Sequence, residues 1–276
     1  MTKKSVRAPK VRARASAHPS ARSGILTEMT IADVRAFHPE VGVIGIGSTE
    51  PHGPHLPYGT DTFILESVTI PAVRRANAGG ARVLYLPSLP ISLNNNMRDF
   101  PFGLKYSVPT FMNMLADLIA QFEKEGVMKI VLVNAHGGNP DVLRAVQRDH
   151  MKREGAFVCL VDAGGFGIEA FKTQIHMASE HAGEYETSMI MHAQPELVRE
   201  ECFADNPVMP VKVPCLAQAK AQFVRPWWLY LPVSAGGDNR QSTAAKGEAV
   251  TTAAIASLAE FLTDLSKAKW HKDFPF

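Results

Sequence analysis

Four side chains able to bind a metal ion lie within one short stretch of the sequence. The stretch GSTEPHGPHLPYGTD, Gly47 to Asp61, contains Glu50, His52, His55 and Asp61. Its three prolines restrict the backbone, which lowers the entropy lost when these side chains are held in place. Mixed carboxylate and imidazole ligands suit Zn, Mn or Fe, whereas Ca and Mg prefer oxygen ligands alone. Any one of these residues is typical of a polar loop, but the group predicts a metal site.

A second polar group follows an apolar, β-branched run. KIVLVN, Lys129 to Asn134, is typical of a buried strand. Directly after it come Ala135, His136, Gly137, Gly138 and Asn139. Paired glycines let the backbone approach an ion or a substrate, and the amino end of a helix starting at Pro140 favours an anion. An oxyanion hole of the HGGG-esterase type is the competing interpretation, but it requires a G-x-S-x-G motif, which the chain lacks.

The third group is EHAGEYETS, Glu180 to Ser188, in front of an apolar helix. Here His181 is followed three and five positions later by Glu184 and Glu186. A charged helix start with apolar residues behind it explains the pattern as well as a functional role does. In the functional interpretation, the group supplies a metal ligand and a proton carrier.

The elements that must position these groups alternate between strands and helices. Predicted strands cover Val41 to Ile46, Arg82 to Pro87, Lys129 to Asn134 and Phe157 to Val161. Predicted helices cover Thr30 to Phe37, Asp61 to Asn77, Thr110 to Glu125, Pro140 to about Arg153, and about Thr243 to Leu265. This alternation predicts an α/β fold, a three-layer α/β/α arrangement with a mostly parallel central sheet. Ligands in such sheets bind beyond the carboxyl ends of the strands, where two of the polar groups lie.

Composition excludes several classes of function. Seven basic residues precede the first acidic one, Glu28, so the rest of the chain is net acidic although the whole carries +2. We therefore expect no nucleic-acid partner. The longest apolar runs are far shorter than the ~20 residues of a membrane span. Three cysteines form no disulfide framework or zinc ribbon, which favours a cytoplasmic location.

Two regions have no clear place in the predicted sheet. We interpret residues 1–23 as a basic disordered tail, with an organelle-targeting segment as the alternative. Residues 24–276 are predicted to form a single domain. Within it, the irregular segment from Asn206 to Asp238, which contains Trp227 and Trp228, is interpreted as an interface or a lid.

Taken together, the three groups resemble the creatininase-like amidohydrolases. The family pattern is G-S-x-E-x-H-G-x-H-L-P-x-x-T-D, then N-x-H, then H-x-G-x-x-E-T-S, and the chain matches it in order from Gly47 to Ser188. GGDNRQSTAAKG, Gly236 to Gly247, is similar to the Gly-rich segment near the end of the family. The resemblance implies a divalent-metal-dependent amidohydrolase.

For the metal centre, the resemblance implies two divalent ions, Zn, Mn or Fe, bridged by Asp61. Glu50 and His136 would complete one site and His52 the other. In creatininase the remaining ligand is a glutamate two residues after the histidine of the middle motif, where this chain has Gly138. We assign that ligand to Glu186, with Glu184 as the alternative.

The other roles follow from the same resemblance. The ions would activate water, and His181 would give a proton to the leaving nitrogen. Supporting or substrate-contacting roles are predicted for Ser48, His55, Gly137, Gly138, Asn139 and Glu184. His55 is expected to support a ligand rather than to be one.

The substrate is expected to be a small cyclic amide or formamide other than creatinine. Creatininase has a tryptophan four residues before its catalytic histidine, and this chain has Met177 there, with Phe166 as another ring that could stack. Asn94 to Arg98 could contact a polar substrate or simply form a turn. Alternatives are hydrolysis of a sugar-like ring ketone and a non-catalytic metal-binding scaffold. The resemblance also implies a homo-oligomer, often a hexamer, with Trp227 and Trp228 at a contact.

Overall fold

A computed structural model describes residues 23–151, 155–175, 181–218 and 221–276. The basic tail is outside the described residues up to position 22, and Met177 is outside them as well. The division into a tail, 1–23, and one domain, 24–276, therefore stays a prediction.

The centre of the molecule is a parallel sheet of four strands in the order β2-β1-β3-β4. The strands are β1 (Val41–Ile46), β2 (Val83–Tyr85), β3 (Lys129–Asn134) and β4 (Phe157–Asp162). β1 pairs with β3 in a register that places Ile46 opposite Asn134. Every residue of β1 and β3 is buried, as expected for inner strands covered on both faces.

Helices follow the strands along the chain. They are α1 (Ile31–Phe37), α2 (Thr60–Ala78), α3 (Val108–Lys124), α4 (Pro140–His150), α5 (Ile168–Gln174), α6 (Glu184–Ala193), α7 (Pro214–Ala217), α8 (Trp227–Tyr230) and α9 (Ala244–Lys267). A short antiparallel pair joins β5 (Asp205–Asn206) to β6 (Gly237–Asp238). No helix in the described ranges is long and apolar enough to cross a membrane.

Two hydrophobic cores lie on opposite faces of the sheet. Val43 of β1 belongs to the core formed with α2, α6 and α9, whereas its neighbour Ile44 belongs to the core formed with α3 and α4. Successive side chains of a strand point to opposite faces, so one apolar run serves both cores. This arrangement confirms the predicted α/β fold with a mostly parallel central sheet and helices on both sides.

Hydroxyl side chains cap the starts of two long helices. Ser107 caps α3 by accepting a hydrogen bond from the Thr110 amide, and Thr243 caps α9 by accepting one from the Lys246 amide. Near the start of α9, a Cβ added to Gly247 would lie 2.0 Å from the carbonyl oxygen of Ser188 in α6. Glycine therefore allows α9 to pack directly on the helix that follows His181.

Some predicted limits differ from the observed ones. The second strand was expected over Arg82 to Pro87, but it covers only Val83–Tyr85, because it lies at an edge of the sheet and Pro87 has no amide hydrogen to donate. α4 ends at His150 rather than at about Arg153. The segment from Asn206 to Asp238 is irregular as predicted, with two single-turn helices; its role as an interface or lid stays a prediction.

Candidate metal centre

The side chains of the candidate site come from four separate parts of the chain. Glu50 and His52 lie in the loop after β1, and Asp61 lies in the first turn of α2. His136 lies in the turn after β3, and Glu186 lies in the first turns of α6. The loops after β1 and β3 leave the carboxyl ends of neighbouring strands, which brings them to one edge of the sheet.

Asp61 is at the centre of the group. Its Oδ1 lies 3.2 Å from Nε2 of His52, and its Oδ2 lies 3.0 Å from Nδ1 of His136. Glu50 Oε1 lies 3.1 Å from the same nitrogen of His136. Each oxygen of Asp61 thus faces a different histidine, which is the arrangement that a carboxylate bridging two ions requires.

Glu186 lies at the open side of the group. Its Oε2 is 4.0 Å from Nε2 of His52, and it accepts a hydrogen bond from the amide of Ala182 at 2.5 Å. The Glu186 side chain is 22% exposed, whereas Glu50, His52 and Asp61 are almost completely buried. Glu186 is therefore the most exposed of the five ligand candidates.

Glu184, the alternative ligand, has a different neighbour. Its Oε1 lies 2.5 Å from Nζ of Lys246 in α9, and its side chain is fully buried. It belongs to none of the candidate metal-binding groups among the described residues. The ion pair with Lys246 holds Glu184 against α9.

Three histidines at the site share one pattern of hydrogen bonding. Nδ1 of His52 lies 3.0 Å from the carbonyl oxygen of Glu50, Nε2 of His136 lies 2.9 Å from that of Leu93, and Nε2 of His181 lies 2.9 Å from that of Pro51. A carbonyl oxygen only accepts, so each of these nitrogens carries the proton. The other nitrogen of each ring then faces the carboxylates. This pattern is typical of histidines that bind metals.

Unpaired buried atoms test whether a divalent ion would fit. When each imidazole carries its single proton on the nitrogen that faces a backbone carbonyl, Glu50 Oε2, His52 Nε2 and Asp61 Oδ2 are buried and lack a hydrogen-bond partner. Leaving polar atoms buried without a partner is costly, and a bound cation would remove that cost. Ligand atoms within 4.8 Å of one another form three overlapping groups: Glu50, Asp61 and His136; His52, Asp61 and Glu186; and Glu50, His52 and His181. The residues present therefore fit divalent metal ions.

The charges of the group shift the pKa values of its histidines in opposite directions. Burial alone would lower the pKa of His52, but the charge of Asp61 and a hydrogen bond to it raise the pKa to about 10. For His181, burial and the neighbouring charge of His52 lower the pKa to about 4. Without metal, His52 holds a proton where a cation would bind, while His181 is neutral.

His55 supports the site from outside the candidate metal-binding groups. Its Nε2 lies 3.0 Å from Oγ1 of Thr187 and 2.9 Å from Nδ2 of Asn239. These contacts join the loop after β1 to α6 and to the segment before α9. His55 thus connects three of the sequence motifs without joining a candidate metal group.

Ser48 and Asn139 also bind neighbouring polar groups. Asn94 Nδ2 donates to Ser48 Oγ at 2.8 Å and to the Leu104 carbonyl at 2.7 Å. The Asn94 side chain therefore links the loop after β1 to Leu104. Asn139 Nδ2 donates to Asn134 Oδ1 at 3.0 Å. The exposed Arg98 lies over the ring of Trp228 and pairs with Asp99.

The paired glycines differ in their surroundings. A Cβ at Gly138 would lie 2.4 Å from Nε2 of His136 and 2.7 Å from the carbonyl oxygen of Leu93, so a side chain there would displace the hydrogen bond that orients His136. A Cβ at Gly137 would meet nothing within 4 Å. Gly138 therefore allows the histidine to be oriented, and Gly137 leaves space beside it.

Several neighbours of the site were not identified from the sequence. The ring of Trp227 lies 4.7 Å from that of His181, and the hydroxyl of Ser234 donates to the Pro51 carbonyl. Asn239 and Lys246 contact His55 and Glu184. Asn239 and Lys246 lie within GGDNRQSTAAKG, and the similarity of this stretch to the family's Gly-rich segment could have indicated them. No local pattern indicated Trp227 or Ser234.

A family model described as creatinine amidohydrolase matches residues 27–262. The chain belongs to the creatininase family. A mycofactocin precursor peptide peptidase of Mycobacterium ulcerans is 27% identical over 234 residues, 82% of this chain and 86% of that protein. A 2-amino-5-formylamino-6-ribosylaminopyrimidin-4(3H)-one 5'-monophosphate deformylase of Methanococcus voltae is 32% identical over 110 residues, 40% of each chain. This creatininase-family chain is accordingly a hydrolase.

Solved structures of the family have the same fold. A crystal structure described as a putative creatinine amidohydrolase from Bacteroides fragilis superposes with a TM-score of 0.81 at 25% identity, covering 91% of this chain and 99% of that one. A creatininase structure described as the Mn form superposes with a TM-score of 0.70 at 18% identity, covering 89% of this chain and all of that one. The second similarity is one of fold alone.

Proposed function

We propose that this creatininase-family hydrolase is a metal-dependent amidohydrolase that cleaves a C–N bond in a small cyclic amide or a formamide. One ion would be held by Glu50, Asp61 and His136, and a second by His52, Asp61 and Glu186. The observation that carries the proposal is that the two oxygens of Asp61 face different histidines, beside buried atoms that lack a hydrogen-bond partner. Zn, Mn and Fe all suit this mixture of ligands.

Divalent ions bound there would lower the pKa of a water molecule and polarise the carbonyl of the amide. The protein must then move a proton to the leaving nitrogen. Nε2 of His181 is occupied by the Pro51 carbonyl, while Nδ1 lies 3.9 Å from Glu50 Oε1 and 4.0 Å from Glu186 Oε2. A neutral His181 can accept the proton of the attacking water at Nδ1 and give it to the nitrogen that leaves.

Glu184 and Glu186 have distinct roles in this proposal. Glu186 faces His52 and His181 from the open side, whereas Glu184 is paired with Lys246. We therefore keep Glu186 as the fifth ligand. Ser48, His55 and Asn139 act as supports, and Gly137 leaves space for the substrate.

A second candidate substrate is a peptide. The similarity to the mycofactocin precursor peptide peptidase extends over 82% of this chain, about twice the share matched by the deformylase. The open side at Glu186 and Gly137 would have to admit an extended chain. A short peptide amide therefore belongs in any screen beside cyclic amides and formamides.

The test combines metal analysis with such a screen. We expect two equivalents of metal per chain and turnover of at least one amide class. His181→Ala should keep the metal and lose about 10²- to 10⁴-fold in kcat, because it removes the proton carrier. His192→Ala is the matched control, because His192 is an exposed histidine on α6, the helix that follows His181.

Each alternative has its own outcome. A protein that holds two ions but hydrolyses no amide, formamide, peptide or ring ketone would indicate a non-catalytic scaffold. A protein that hydrolyses ring ketones but none of the amides would indicate the ring-ketone hydrolase. Loss of metal from His181→Ala would make His181 a ligand, in line with the group of Glu50, His52 and His181.

A further inference from the structure

Ser234 is a buried serine in an unusual backbone conformation beside the metal centre. Its φ is 54°, in the left-handed region that few residues other than glycine adopt, and its exposed fraction is 2%. Its hydroxyl donates to the carbonyl oxygen of Pro51 at 2.7 Å. Pro51 stands between Glu50 and His52 in the sequence, so this bond reaches directly into the metal-binding loop.

The same carbonyl oxygen has a second donor. Nε2 of His181 lies 2.9 Å from it. A carbonyl oxygen has two lone pairs, and here one is used by Ser234 and the other by His181. The position of the Pro51 carbonyl therefore determines which nitrogen of His181 carries the proton and how its ring is turned.

Other contacts come from the same part of the chain. We call Trp227 to Gly236 the His181-facing segment. The amide of Gly236 donates to the carbonyl oxygen of His181 at 2.9 Å, and the ring of Trp227 lies edge-on to the His181 ring at 4.7 Å. His52 contacts the same ring at 4.2 Å. The segment thus contacts His181 at its backbone and its ring, and contacts the acceptor of its Nε2 proton.

We propose that Ser234 is a positioning residue for His181. By donating to the Pro51 carbonyl, its hydroxyl fixes that oxygen where it accepts the Nε2 proton of His181, so the Nδ1 lone pair points towards Glu50 and Glu186. A strained backbone conformation at a functional site requires support from its surroundings, and this hydrogen bond supplies part of it. The proposal rests on the role of His181 given above.

Two substitutions distinguish the effect of the Ser234 hydroxyl group from the effect of its backbone conformation. Ser234→Ala removes the hydroxyl and keeps the strained φ, whereas Ser234→Gly removes the hydroxyl and relieves the strain. If the hydroxyl positions His181, both variants should behave alike. Ser266→Ala is the matched control, because Ser266 is also buried and its hydroxyl accepts a hydrogen bond from the Arg82 amide away from the metal centre.

The first readout does not depend on turnover. In metal-loaded protein labelled with ¹⁵N-histidine, NMR distinguishes the two tautomers of each ring, and His181→Gln identifies the His181 signals. We expect the wild type and Ser266→Ala to have His181 protonated at Nε2. Both Ser234 variants should have a mixture of tautomers while keeping the wild-type metal content.

The second readout is kinetic, with whichever amide the screen identifies. We expect kcat to fall about 10- to 100-fold in both variants with KM unchanged, the range found when a hydrogen-bond partner that orients a metal-binding histidine is lost. A Ser234→Gly variant with the wild-type His181 tautomer and the wild-type kcat would overturn the proposal, because His181 would then not need the Ser234 hydroxyl group. Loss of metal would also overturn it, because Ser234 would then support the ligands. If the wild type hydrolyses no amide, the proposed function fails, and the NMR measurement still decides the role of Ser234.

Discussion

At the scale of single residues, the candidate metal centre is a balance of buried charges. Asp61 lies between two histidines, and although burial disfavours its charged form, His52 and His136 hold its pKa below the ordinary range. The pKa of His136 is raised well above its ordinary value, because the charges of Glu50 and Asp61 and hydrogen bonds to them outweigh the opposing effect of burial. In the absence of metal, protons on the histidines therefore neutralise the carboxylates.

This balance predicts how metal binding depends on pH. The pKa of His52 is about 10 in the metal-free protein, and a ligand nitrogen must be unprotonated, so binding at pH 7 should release at least one proton per chain. Apparent affinity should rise about tenfold per pH unit for each proton released and level off near pH 10. Calorimetric titration of metal into chelator-treated protein, in two buffers of different ionisation enthalpy, measures the release. Binding that is independent of buffer and pH would contradict the proposed His52 ligand.

The supporting role of His55 makes a separate prediction. Burial lowers its pKa to about 4, so the ring is neutral at pH 7. His55→Leu should lower the free energy of unfolding by about 1–3 kcal/mol, because Thr187 and Asn239 lose a buried hydrogen-bond partner. Denaturant unfolding measures this loss. Metal content should stay that of the wild type, whereas His52→Leu should lose metal; a His55→Leu protein lacking one ion would instead make His55 a ligand.

At the scale of elements, the sequence predicted the inner strands better than the neighbours of the site. β1 and β3 have the limits predicted from their apolar, β-branched runs, because burial on both faces leaves a continuous signal in the sequence. The choice between Glu184 and Glu186 could not be made from spacing alone. The observation that favours Glu186 is the pairing of Glu184 with Lys246, which lies 62 residues further along the chain and reaches Glu184 through the packing of α9 on α6.

The contacts of His181 could not be predicted from the sequence for the same reason. Trp227 and Ser234 follow His181 by more than 40 residues, in a segment without regular periodicity. Local patterns predict which side chains share an element, but not which irregular segment folds back over a site. The family resemblance identified the ligand candidates because those positions stand in motifs, whereas Trp227 and Ser234 do not.

Lys129 links the sheet to the last helix and carries a prediction at this scale. It is buried at the start of β3, and its Nζ donates to the carbonyl oxygens of Leu265, Ser266 and Ala268 at the end of α9. The last carbonyl groups of a helix lack partners within the helix, so this ammonium group supplies them. Lys129→Met should cost about 1–3 kcal/mol of unfolding free energy, since one buried and two partly buried carbonyl groups lose a charged donor.

The control for Lys129 is a lysine whose ion pair is exposed. Lys172 pairs with Glu169 on the surface, and Lys172→Met should change stability by less than about 1 kcal/mol. Chemical denaturation of the metal-loaded proteins compares the two. Equal effects of both substitutions would mean that Lys129 does not stabilise the end of α9.

At the scale of the whole molecule, the His181-facing segment and the residues before it have two different sides. Trp227 contacts the His181 ring and Ser234 contacts the Pro51 carbonyl, while Val224 and Leu229 are 81% and 63% exposed. Phe223 and Val233 are also exposed. Large apolar side chains exposed to solvent at nearby positions of the chain favour a protein contact. A partner seated there would contact the His181-facing segment.

We therefore expect the protein to form a homo-oligomer, a hexamer by resemblance to the family, with this surface at a contact. The double variant Val224→Asp and Leu229→Asp should lower the mass measured by light scattering, because burying two carboxylates at an apolar contact is costly. Met151→Asp is the control, since Met151 is 82% exposed at the end of α4 and should leave the mass unchanged. If the contact also steadies Trp227 and Ser234, the double variant should lose kcat while keeping its metal. A wild-type protein that is monomeric at micromolar concentration, or a double variant of unchanged mass, would contradict the assignment of this surface.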